Sequence, residues 1–147
     1  MGILLEAATR DDFKRRVQAL DASTKPTWGK MSVDQMLHHV NYNVAESLGE
    51  YTAPRSIKGV PEFIIRWLII KGPWGKGAPT RPDLHVPKGE RYDFDVEQKR
   101  LLDMIDRFCA LPRDGKWPRS ANFAMTGLHW AQLHGRHINH HLTQFGV

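Results

Sequence analysis

Two histidine motifs carry the residues best suited to chemistry. Five of the eight histidines fall between His129 and His141, four of them within the run His134-Gly135-Arg136-His137-Ile138-Asn139-His140-His141-Leu142-Thr143-Gln144. The stretch from Gly127 to Gln144 reads as a helix, with Thr126 in the N-cap position and Gly146 where a C-cap glycine would stand. On a wheel at about 100° per residue, with His137 at zero, Trp130 falls near about 20°, His141 near about 40° and Gln144 near about −20°. His137 and His141 are thus one turn apart on the face that must turn inward, a spacing that lets two imidazoles share one metal ion. Taken alone, such a pair is more often packed and hydrogen-bonded than ligating. His134 and His140 flank it and take over as ligands if the helix phase shifts.

The second motif lies about a hundred residues upstream, in Met36-Leu37-His38-His39-Val40. Ser32 and Gln35 form a capping box that opens a helix reaching about Gly49, with Val33, Leu37, Val40, Val44 and Leu48 as its apolar stripe. His38 and His39 lie off opposite edges of that stripe, and wheel geometry does not choose between them. One imidazole from this helix and two from the last would leave coordination positions open for water or substrate, the pattern of catalytic sites. Asn43, Glu46 and Gln144 lie near the ligand strips as partners for ring N–H groups.

The elements that must position these residues are helical. A first helix is predicted over about Arg10–Leu20, entered through a capping-box-like Thr9 and Asp12 and carrying Phe13, Val17 and Leu20 on one face. Asp21–Lys30 is a polar connector in which Trp28 folds back over the helices. Glu62–Lys71 is short and very apolar, and reads as an extra helix. Gly72–Gly89 holds four prolines and four glycines and is expected to lie as a long loop across one end of the fold. A further helix starts near Asp93 or Asp95 and runs to about Ala110, with Leu101, Leu102, Ile105, Phe108 and Cys109 inward and Pro112 as its stop. Four principal helices without period-two strands predict an all-α, four-helix bundle in a single domain over residues 1–147.

Composition narrows the function classes. The net charge is +5, but acids interleave with the 21 Lys and Arg and no run of five like charges occurs, so nucleic-acid binding is not expected. A single cysteine, Cys109, excludes an intrachain disulfide and falls on an apolar stripe, which makes it a packing residue and suits a reducing cytoplasm. Met1–Leu5 is too short for the apolar core of a signal peptide, and Phe63–Ile70, broken by Arg66, is too short to span a membrane. That same segment is the candidate patch for a homodimer. The tryptophans are expected in packing or in the loop, and Arg136 on the solvated face.

The chain also resembles a family. Trp28-Gly29-Lys30-Met31-Ser32 followed by Gln35-Met36-Leu37-His38-His39-Val40 is similar to the second-helix entry of DinB-like proteins. His137-x-x-His140-His141-x-x-Gln144 is similar to their final-helix signature. The closing Gln144-Phe145-Gly146-Val147 and the Pro/Gly-rich middle resemble an uncharacterised branch of that superfamily, over essentially the whole chain. The resemblance implies a four-helix bundle with a divalent metal (Zn, Ni, Fe or Mn) on three histidines, whose matching positions here are His39, His137 and His141. It also implies metal-dependent thiol transfer to a small molecule, with a low-molecular-weight thiol as cosubstrate, or metal-assisted hydrolysis. A non-catalytic metal- or ligand-binding stress-response module is the other reading. Ser120–Ala124 departs from the His-Pro-x-Phe-Gly wording of that branch.

Overall fold

Capping and apolar stripes set most helix boundaries. A computed structural model describes residues 2–78 and 80–147, so Met1 and Pro79 of the segments read above lie outside the described residues. The order is α1 (Ala7–Gln18), α2 (Val33–Ser47), α3 (Glu62–Lys71), a 3₁₀ turn (Pro82–Leu84), α4 (Phe94–Ala110) and α5 (Gly127–Gln144). The chain is all-helical, with no strand among the described residues.

Helix α1 begins three residues before the predicted start. Its N-cap is Glu6 rather than Thr9, and Leu20 lies beyond its end, though buried. The reason is local: the Thr9 hydroxyl bonds the Glu6 carboxylate at 3.5 Å instead of capping a helix of its own. At α2 the Ser32 N–H donates to Gln35 Oε1 at 2.9 Å, the return half of the predicted box. The Asp93 side chain caps α4 by accepting from the Val96 N–H at 3.0 Å, and the Thr126 side chain caps α5 from the His129 N–H at 3.1 Å.

Four of the helices contact one another in a ring: α1 meets α4 and α5, and α2 meets the same two. The core between them holds Phe13, Val17, Leu37, Val44, Leu101, Ile105, Phe108, Trp130, Ile138 and Leu142. Each such side chain contributes roughly 1.5–3 kcal/mol of burial free energy. Cys109 is half-buried, its thiol on the Leu4 carbonyl at 3.1 Å and its pKa pushed up by burial, as fits a packing residue. Helix α3 packs on α5, buries Ile65 and Ile70, and leaves Phe63, Ile64, Trp67 and Leu68 exposed. Among the described residues, no helix is long and apolar enough to cross a membrane.

The Pro/Gly-rich segment after α3 is pinned rather than free. Its 3₁₀ turn packs on α2. Arg81, just before that turn, reaches the carboxylates of Glu46 and Asp83.

Candidate metal centre

Three imidazoles from α2 and α5 meet at one point. His39 Nε2 is 2.9 Å from His137 Nε2, which is 3.1 Å from His141 Nε2. All three rings are buried, 4%, 8% and 7% exposed, so water does not separate them from the protein. The three rings stand edge to face, with centroids 4.8–4.9 Å apart.

The opposite nitrogen of every ring has an acceptor. His39 Nδ1 donates to the Leu84 carbonyl at 2.8 Å, a group that can only accept. His141 Nδ1 donates to Gln144 Oε1 at 2.8 Å. The Gln144 amide cannot be reversed, because its Nε2 donates to the Trp28 carbonyl at 2.9 Å. His137 Nδ1 donates to Asn43 Oδ1 at 3.0 Å, and the Asn43 amide turns its Nδ2 toward Glu46 Oε2 at 3.5 Å. Each neutral ring therefore carries its proton on Nδ1 and its lone pair on Nε2.

The consequence is electrostatic. The His137 lone pair meets those of His39 and His141 at hydrogen-bond distance with no hydrogen between them. Protonating one ring would relieve the clash, but burial opposes it. Burial, then the neighbouring histidines, holds His137 well below the usual imidazole range, and burial with His39 holds His141 at about 3. Burial also lowers His39, against the bond to Leu84. A cation held between the three rings could satisfy the arrangement. Nitrogens that share one ion at about 2.0–2.1 Å lie no more than about 4.2 Å apart; the His39–His137 and His137–His141 separations of 2.9 and 3.1 Å meet that limit, and the three ligand atoms all lie within 4.8 Å of one another. The donor set, three neutral imidazoles with their N–H groups held from behind, fits a divalent first-row metal.

A buried ion pair supports the Asn43 side. Glu46 is fully buried and accepts from Arg81 Nη2 at 2.8 Å and from the Ala121 N–H at 3.1 Å. Burial raises the Glu46 pKa while Arg81 opposes the shift, and burial lowers that of Arg81 while Asp83 and Glu46 raise it overall. Glu46 thus holds Asn43, and Asn43 holds His137.

No protein-family model, curated protein or solved structure matches the chain.

The remaining histidines separate cleanly. His38 turns away from the triad, stacked on Tyr92 with centroids 3.8 Å apart and with Nδ1 3.2 Å from Glu97 Oε1. His140 is one residue off the inward face and sits beside Trp28 and Trp74, with centroids 5.9 and 5.8 Å away. His134, one turn before His137, is fully buried, its Nε2 donating to the Ser47 hydroxyl at 2.7 Å. His129 caps α5 at its edge and His85 is exposed in the loop.

Three contributions escaped sequence reasoning. The Leu84 carbonyl leaves no trace in side-chain pattern. Arg81 sits in a segment read as a loop. Arg136 is half-buried rather than solvated, bonded to the carbonyls of Ile69 (3.1 Å) and Gly72 and placed over the Trp74 ring at 4.4 Å. Its only advance signal was its position beside His137.

Proposed function

We propose that the protein is a DinB-like four-helix bundle whose His39, His137 and His141 bind one divalent metal ion (Zn, Ni, Fe or Mn). The single observation that carries this is the convergence of three Nε2 lone pairs whose Nδ1 protons are all committed elsewhere. The ring of contacts among α1, α4, α2 and α5 supports the bundle reading.

The reaction class that suits such a site is metal-dependent transfer of a low-molecular-weight thiol to a small electrophile in the cytoplasm, with hydrolysis as the variant that uses water. A divalent ion lowers the pKa of bound water toward about 7 and deprotonates a bound thiol. The chain's own residues supply the rest. Leu84, Asn43 and Gln144 fix the ring tautomers, so no proton blocks an Nε2. Burial keeps the rings neutral through the physiological range. Three protein nitrogens leave further positions of the ion for a reactant.

The test is elemental analysis of untagged protein, wild type against His137→Ala. The expected result is about one metal per chain in the wild type and none in the variant. Turnover of thiol–electrophile pairs by the loaded wild type, lost on chelation, supports the transferase assignment. Absence of metal in both, with none taken up from a divalent panel, overturns the site.

A further inference from the structure

A cleft of about 250 Å³ opens beside the triad, lined by Trp28, Trp74, Arg136, Asn139, His140 and Thr143. It borders the site directly: the Trp74 ring lies 6.1 Å from that of His137, and the His140 ring 5.2 Å from that of His141. The two indoles give it flat apolar walls. No lining residue carries a carboxylate.

The charged groups that stand over its two indoles are both cations. Arg136 stands over Trp74 at 4.4 Å, and the Lys76 ammonium stands over Trp28 at 4.8 Å. Neither has a carboxylate within ion-pair distance among the described residues. Elsewhere Arg81 pairs with Glu46 and Asp83 and Arg16 with Asp12, whereas Arg66, like Arg136, bonds a main-chain carbonyl, that of Ala124 at 3.1 Å. Arg136 is held only by neutral carbonyls, which fix its plane without neutralising it. Its pKa is lowered by burial, and nothing around it offsets that.

We propose that this cleft is a binding site for a small aromatic carboxylate, its ring between Trp28 and Trp74 and its charge toward Arg136 and Lys76. The flat walls select an aromatic body, and the two unpaired cations select an anion over its neutral analogue. The proposal deepens the metal reading by naming the substrate class that would be presented to that site, and it rests on that reading only for what happens after binding.

The experiment is calorimetric titration of the chelator-stripped full chain with 2-naphthoate and with uncharged 2-naphthamide. Stripping the protein prevents a carboxylate–metal contact from imitating the cleft. Naphthoate is expected to bind at least about tenfold tighter than the amide, weakening with salt. Lys76→Gln, on an exposed residue, is expected to cost about three- to fivefold, and Trp74→Ala about tenfold or more, with unchanged circular dichroism. Equal affinity for the two probes, no binding by folded wild type, or indifference to both substitutions would overturn the proposal. Naphthoate binding by a chain that takes up no metal would sink the metal reading and leave the cleft. Metal uptake without naphthoate binding would do the reverse.

Discussion

Gln144 joins Trp28 to His141: its Nε2 donates to the Trp28 carbonyl at 2.9 Å while its Oε1 accepts from His141 Nδ1 at 2.8 Å. The same clamp takes hold of the Gln144 main chain, whose carbonyl accepts from the Thr27 N–H at 2.7 Å and from the Thr27 hydroxyl at 3.0 Å. The connector after α1 thereby sets the proton position on a ring at the far end of the chain.

Replacing that amide tests the link. Gln144→Leu frees the His141 ring to turn and to carry its proton on Nε2. Metal affinity, measured by competition with a coloured chelator, is expected to fall about 10–100-fold with the helical spectrum retained. Unchanged affinity would show that Gln144 does not orient the ring.

Gly29 enforces the same contact from the other side. Its φ is +84°, and a Cβ there would stand 2.5 Å from Gln144 Nε2. Gly29→Ala is expected to destabilise the fold by about 1 kcal/mol or more and to weaken metal binding as well. A stability loss with metal affinity intact would confine Gly29 to the turn.

The ion pair behind Asn43 predicts a larger loss. Arg81→Met leaves Glu46 fully buried without its cation, a change of about 3–5 kcal/mol in urea unfolding. Adding Glu46→Leu in the same chain is expected to restore part of it, since the uncompensated charge is then gone. A double variant no more stable than Arg81→Met would refute this account.

Acid sensitivity follows from His134. Burial lowers its pKa to about 3, so between roughly pH 6.5 and that value the unfolded chain binds a proton that the folded chain does not. Its contribution is complete above about pH 6.5 and is lost as the pH falls. For the metal-free protein, His134→Leu is expected to flatten the pH dependence of unfolding free energy in that window by about 1.4 kcal/mol per unit. An unaltered slope would mean that His134 is protonated in the fold.

The pattern of what could be read beforehand has a physical basis. Helices α3 and α5 matched the sequence reading at both ends because each has clear punctuation: Pro61 and Gly72 around one, Thr126 and the closing glycine around the other. The inward placement of His137 and His141 followed from a rigid period along one helix. His39 against His38 did not, because both sit at the rim of the stripe and the choice depends on what α4 offers. Glu97 of α4 and Tyr92, just ahead of that helix, draw His38 away. Arg136 was misjudged because its partners are main-chain carbonyls of a distant segment, which carry no side-chain signature.

Leu84 serves His39 through its carbonyl, so almost any residue at that position can do the same. What the site needs from this part of the chain is a residue count. The spacing between Arg81, which grips Glu46, and the carbonyl three residues on sets where that oxygen falls relative to the ring. Descendants of this gene could therefore drift freely in letters at position 84 while any insertion or deletion between 81 and 84 detached the ring, leaving a signature written in gaps rather than in substitutions.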